Sequence, residues 1–235
     1  MREVFLKYRT KLILILVFLL SISLTYANGG LFGWKGVHGS IGRLSIASQS
    51  INLGTLNEEI EFNFEVTYPE TFINLGAQYL YLSNNVALGV EGYLLNNGTH
   101  SDEILTYQVN ASAVFFDLGY VLYSNFYTVL TPWAGIGIGN ITYSMCSKNN
   151  SWVQAVDQGI PYVFSSTKQN MMVNFGISWD AVYRKAAVGI HASYMFPISD
   201  ADWEIAGEVM EEGPDTTLDG MHIGISFGFT DIDMW

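Results

Sequence analysis

The chain has 235 residues and a formal charge of −12, with 10 Lys and Arg against 22 Asp and Glu. So few basic residues exclude a nucleic-acid surface, which needs clustered Lys and Arg against phosphate, and disfavour docking on an anionic membrane face. The lone Cys146 excludes an internal disulfide framework and a zinc site built on two or more cysteines, and is expected as a reduced thiol in a loop.

The first segment, residues 1–27, reads as a removable secretory signal. Arg2, Lys7, Arg9 and Lys11 precede an apolar run from Leu12 to Leu20, which falls short of the ~20 residues of a spanning helix. Thr25-Tyr26-Ala27 then offers small residues before a cut at Asn28, and no Cys follows for lipid attachment. The leader holds four of the ten basic and one of the 22 acidic residues. The mature part, 28–235, is therefore left with six against 21, a formal −15, and its length suits one domain.

From there the recurring period is two, the signature of strands with unlike faces. Residues 30–48 alternate poorly and leave the first strand hard to place. Ile60, Phe62, Phe64, Val66 and Tyr68 alternate well and are expected to extend the second strand through a bulge near Pro69. Ile73, Leu75, Ala77, Tyr79 and Tyr81 oppose Asn74, Gly76, Gln78 and Leu80, and Ser83-Asn84-Asn85 marks a turn. Val86, Leu88 and Val90 oppose Ala87, Gly89 and Glu91. After a polar loop at 96–102, Leu105, Tyr107, Val109, Ala111, Ala113 and Phe115 oppose Thr106, Gln108, Asn110 and Ser112, with a connection expected at 117–125.

Ala134, Ile136 and Ile138 then stand against Gly135, Gly137 and Gly139, ahead of a long loop at 144–168. Met171, Val173, Phe175, Ile177 and Trp179 oppose Asn170, Asn174, Gly176, Ser178 and Asp180, with a short return at 181–185. Val188, Ile190, Tyr194 and Phe196 oppose Ala187, Gly189, His191 and Ser193. An acidic loop, 197–220, leads to the last strand, where Met221, Ile223, Ile225, Phe227 and Phe229 oppose His222, Gly224, Ser226 and Gly228. Strands of this length match the ~9–11 residues that cross a bilayer at a tilt, and the connections alternate short and long. Eight strands are favoured, with ten open.

The polar faces are mostly Gly, Ala, Ser, Asn and Gln rather than the Lys and Glu of a water-facing sheet. Small polar groups suit the narrow inside of a barrel and the apolar faces suit lipid, which makes the fold an all-β, antiparallel, up-and-down transmembrane β-barrel. Tyr93, Tyr107, Trp179, Tyr194 and Phe229, near strand ends, are expected to form interfacial girdles. On residues 131–139 (TPWAGIGIG) and 222–229 (HIGISFGF), the chain resembles the small OmpA/OmpX-type outer-membrane β-barrels over nearly all of 30–235. That resemblance implies an outer-membrane, porin-like envelope protein of Gram-negative type. It also implies insertion by the barrel-assembly machinery, read from the terminal Trp235. Asp231 and Asp233 depart from that end signal, as though the strand stopped at Phe229.

The resemblance extends to one possible chemistry. His191-Ala192-Ser193 with Glu204 downstream is similar to the H-x-S and Glu of lipid A deacylases, where His activates the Ser hydroxyl and Glu orients the His. Strand parity instead turns His191 and Ser193 to the lumen, with His222, Asp180, Glu91 and Arg43 as a paired interior network. Asp200, Asp202, Glu204, Glu208, Glu211, Glu212, Asp215 and Asp219 make the last long loop acidic. Asp200, Asp202, Glu211 and Glu212 are weak cation ligands there, with no EF-hand spacing. Gly135-Ile136-Gly137-Ile138-Gly139 has no following helix and is no nucleotide loop. No cofactor is called for. The function expected is a structural, surface-contact or adhesion-type role for a monomer, through loops 144–168 and 197–220 and in contact with outer-membrane lipid or lipopolysaccharide. A lipid A-modifying hydrolase and a small passive channel are the alternatives.

Overall fold

The computed structural model describes residues 36–53, 70–101, 105–125, 127–147, 163–199, 201–210, 213 and 216–233. The signal segment, the stretch 60–68, Asp200, Glu211, Glu212 and Trp235 lie outside the described residues. Eight long strands form the wall: β1 (His38–Ser50), β2 (Thr71–Ser83), β3 (Val86–Ser101), β4 (Leu105–Tyr120), β6 (Thr128–Ser147), β7 (Val163–Tyr183), β8 (Ala186–Pro197) and β11 (Gly220–Asp233). Each pairs antiparallel with the next, and β11 returns to β1, from Gln49 opposite His222 to His38 opposite Asp233. Closure leaves no lipid-exposed edge, and it settles the count of wall strands at eight. This is a closed, antiparallel, up-and-down β-barrel.

Short turns close one end. Asn84 and Asn85 both take positive φ, 54° and 69°, between β2 and β3, as a tight hairpin turn requires, and Asn tolerates that region better than most residues. Asn85 also ties the lead-in to β1 to this end, its Oδ1 accepting from the Val37 amide at 2.8 Å. Arg184 (φ 55°) turns β7 into β8, and the two-residue strand β5 (Tyr123–Ser124) folds back on β6. The connection expected at 117–125 begins later. β4 runs to Tyr120, because Asp117 continues the inward series Ala111, Ala113, Phe115 and pairs with Gly135.

The other end is taller. β6 and β7 stay paired up to Cys146 opposite Val163, so the long loop begins later and ends earlier than expected, and Cys146 sits half-buried on a strand rather than in a loop. The segment 197–220 carries two short strands. β9 (Trp203–Ile205) pairs with Ser166 to Lys168 of β7 above the end of β8, and β10 (Glu208–Val209) turns back on it. β11 continues past Phe229 to Asp233, pairing Asp231 with Ser40, so the acidic residues belong to the strand and not to a tail.

Side chains divide the wall at a line. Leu44, Ile46, Ile73, Leu75, Leu88, Val90, Leu94, Val114, Phe116, Ile136, Ile138, Ile177, Val188, Ile190, Ile223, Ile225 and Phe227 all point outward and are exposed. From Ile73 to Tyr81 the belt on β2 spans about 26 Å along the strand, or about 20 Å across a bilayer at a tilt of roughly 40°. Tyr79, Tyr81, Tyr123, Tyr127, Trp179, Tyr183 and Phe229 crowd the short-turn end, an interfacial girdle, with Arg184 over the Tyr183 ring at 5.4 Å. Tyr93 and Tyr107, expected in that girdle, are instead buried inside the barrel.

Above the line the sides exchange. On β4, Tyr107, Val109, Ala111, Ala113 and Phe115 face the lumen, the reverse of the expected orientation, while Thr106, Gln108, Asn110 and Ser112 face out. The reason is the medium: past the belt the outer surface meets water, so apolar side chains gain by turning in. Together with Phe72, Leu95, Ile141, Tyr143, Met172, Met195, Trp203 and Leu218 they form an apolar plug in the upper lumen. A second plug of Val37, Ile41, Leu80, Leu82, Val121, Val129 and Val182 fills the short-turn end.

Candidate functional site

Between the plugs lies a buried polar layer. Arg43 Nη1 donates to both carboxylate oxygens of Asp180 at 2.8 Å, and Arg43 Nε donates to Gln78 Oε1 at 2.8 Å. Gln78 passes the chain on, its Nε2 donating to Asp117 Oδ2 at 2.8 Å, and Ser178 Oγ donates to Asp180 Oδ2 at 2.9 Å. The guanidinium carbon stands 5.6 Å from the centre of the Trp133 ring. Nearby, Asn174 Nδ2 donates to Glu91 Oε2 at 2.9 Å, and Asn74 Nδ2 to Gln49 Oε1 at 2.6 Å. Such a layer fits only because small residues yield room. A Cβ at Gly176 would overlap the Trp133 ring, and at Gly135 and Gly189 it would overlap the carboxylates of Asp117 and Asp180. Charges taken this far from water require partners. Arg43 and Asp180 supply each other's, while Arg43 Nη2 and Asp117 Oδ1 have no hydrogen-bond partner among the described residues.

His191, Ser193 and His222 sit in the same lumen, all buried. Ser193 Oγ lies 3.2 Å from His222 Nδ1 rather than on His191, and the two imidazoles meet Nε2 to Nε2 at 3.1 Å. Tyr93 closes edge-on against His222 with ring centres 4.8 Å apart. Among the described residues His191 Nδ1 has no hydrogen-bond partner, so no carboxylate orients that ring. Glu204 is elsewhere: exposed on β9, opposite Thr167 of β7, outside the lumen. The structure therefore brings Ser193 to His222 and keeps Glu204 from both histidines. The arrangement is a hydrogen-bonded relay shut between two apolar plugs, facing away from lipid.

Asp202 and Glu204 are exposed on the segment above β8, while Asp219 accepts a hydrogen bond from the Tyr194 hydroxyl. That segment is anchored by Trp203 and Leu218, both buried in the upper plug, so it is docked rather than freely solvated. Among the described residues no three His, Cys, Asp or Glu side chains converge as metal ligands do.

The outward surface above the belt is the remaining candidate. Asn96 on β3 stands opposite Asn110 on β4, Ser112 opposite Asn140 on β6, and Asn140 opposite Gln169 on β7. Thr142, Ser144, Ser165 and Thr167 continue the band upward. Gln108 Nε2 donates to Asn110 Oδ1 at 3.2 Å, and the Ser144 and Ser165 hydroxyls are 3.4 Å apart. These side chains are all neutral, and most carry both donor and acceptor groups; the first charged neighbour is the exposed Glu204 opposite Thr167, at the top of the band. Sequence reasoning missed this face because the apolar phase was carried unbroken through β4. The signal was present as adjacent apolar pairs, Leu94-Leu95, Ala113-Val114 and Met171-Met172, where one residue faces lipid and its neighbour the upper plug.

No protein-family model matches the chain, and no curated protein does. Solved structures similar to it include Ail, the attachment invasion locus protein of Yersinia pestis, at 10% identity, covering 84% of this chain and 99% of that one with a TM-score of 0.49. The N-terminal β-barrel domain of OprF from Pseudomonas aeruginosa is similar at 10% identity, 83% and 99% coverage and a TM-score of 0.41. Neisserial surface protein A is similar at 9% identity, 83% and 96% coverage and a TM-score of 0.37.

Proposed function

We propose that the chain is a plugged, monomeric outer-membrane barrel whose role is contact at the cell surface, structural or adhesion-type, made by the sheet that rises above the belt and by the segments it carries. The reading rests on the exchange of sides on β4. The strand turns apolar residues outward from Val114 down and inward from Ala113 up, so its upper part is built for water on the outside and packing within. β6 and β7 carry that sheet roughly 15–20 Å past the line, well beyond what spanning requires. Two apolar plugs around a paired polar layer favour contact over conduction, since eight strands leave width only for side chains.

An epitope inserted in the exposed turn at Ala206 and Gly207 tests the reading. Intact cells should label with antibody, and the barrel should fractionate with the outer membrane and shift on gels after boiling. Labelling only after permeabilisation would refute the orientation. Stepwise conductance in planar bilayers would favour a channel instead.

A further inference from the structure

Directly above the belt, between β3 and β4, the wall holds a groove of about 270 Å³. Leu94 forms its lower lip, and Asn96, Asn110, Ser112, Asn140 and Thr142 supply its polar surface. The groove opens beside an irregularity in β3, where pairing with β4 shifts register between Asn96 and Thr99, and such bulges bend a strand and re-aim its side chains.

We propose that this groove holds a sugar of the headgroup of an outer-leaflet glycolipid. The occupant follows from continuity with the lipid-facing belt. A lipid whose chains lie along Val114 and Ile138 carries its headgroup one outward step higher, about 7 Å up the strand, which is the row of Leu94, Ser112 and Asn140, with Asn96 opposite Asn110 on the next row above. The chemistry follows from the side chains. Amides and hydroxyls, each donating and accepting, match the hydroxyls of a sugar ring. A phosphate would call for Arg or Lys, and an ammonium headgroup for a carboxylate, and the residues lining the groove include neither. The volume lies near the lower end of ligand pockets, ~300 Å³, enough for one ring rather than an oligosaccharide. The inference rests on the placement of the barrel proposed above, with the long-strand end in the outer leaflet.

The test uses the folded chain in lauryldimethylamine oxide, a detergent without sugar, and native mass spectrometry with three probes. These are a diacylglycerol bearing one hexose, phosphatidylethanolamine with the same chains, and a free methyl hexoside. The hexosyl lipid should be retained about tenfold more tightly than phosphatidylethanolamine, and the free hexoside should not bind measurably. N110L/N140L should lose about tenfold for the hexosyl lipid alone, as two lost hydrogen bonds imply. Equal retention of both lipids, an unchanged affinity in the folded double variant, or free-sugar binding as tight as the glycolipid's would each overturn the proposal. Should the double variant fail to fold, judged by gel mobility before boiling, Thr142→Val and Asn140→Leu are read singly, and unchanged binding in both overturns it. Because binding is measured in detergent, it can fail while surface labelling at Ala206 succeeds, and the reverse.

Discussion

The belt and the upper sheet are made by the same strands and obey opposite rules. In the belt, β4 shows Val114, Phe116 and Leu118 to the outside and hides Asp117, while a few residues up it shows Asn110 and Ser112 and hides Tyr107 and Val109. β3 changes at Leu94-Leu95 and β7 at Met171-Met172; Met171 stands opposite Ile138 and Ile138 opposite Val114 in one row, and Leu94 stands opposite Ser112, one outward step above it. The pleat is constant through the change. What differs is the solvent on each side, hydrocarbon outside below the line and water outside above it. The interior compensates, polar where the wall is greasy and greasy where the wall is wet.

Three experiments probe the lower region and its contrast with the upper. The largest effect is expected from Arg43→Met, which strands Asp180 without its cation in the polar layer. It should lower unfolding stability by about 3–5 kcal/mol, and Arg43→Met with Asp180→Leu should recover much of that. Urea titration followed by gel mobility reads both, and equal losses in the single and double variants would mean that the pair is not what holds the layer. Next, Ile136→Arg, in the belt, should cost about 2–4 kcal/mol, while Thr142→Arg, six residues up the same strand, should cost at most about 1 kcal/mol. Similar costs at both positions would erase the line. Gly176→Ala pushes a methyl into the Trp133 ring and should cost about 1–3 kcal/mol in the same titration.

How much of this was legible beforehand follows the same line. Alternation, short and long connections and small inward residues disclosed the barrel and its inward Glu91, Asp180, His191 and His222, because below the line a strand's apolar face and its outer face coincide. Above it they do not, and a period of two is silent about which side is which. Tyr107 therefore reads in the sequence as an interfacial residue, and in the fold it is buried in the lumen. Asp117 reads in the sequence as part of a connection, because the consecutive apolar Phe115-Phe116 masks the continuing inward phase that ends on the carboxylate. The pairing of Ser193 with His222 was out of reach for a different reason. Those residues are 29 apart in the chain and meet only through the register of β8 with β11, Ser193 opposite His222, which no local pattern encodes.

The smallest expected effect locates the line most finely. Ser112 and Val114 are successive outward residues of β4, opposite Leu94 and Gly92 on one side and Asn140 and Ile138 on the other. If the boundary falls between them, Ser112→Val extends the belt by one rung into a zone where water and headgroups meet. It removes a hydroxyl that solvent can satisfy, so stability should change by less than about 0.5 kcal/mol. Val114→Ser places a hydroxyl in hydrocarbon with no water to bond it and gives up apolar contact with the chains, and should cost about 1–3 kcal/mol. The two changes are near mirror images in chemistry, so any asymmetry between them in unfolding from lipid vesicles reports the medium alone. A large stabilisation from Ser112→Val would place that residue in hydrocarbon, raise the line by a rung and submerge the floor of the groove beside Leu94.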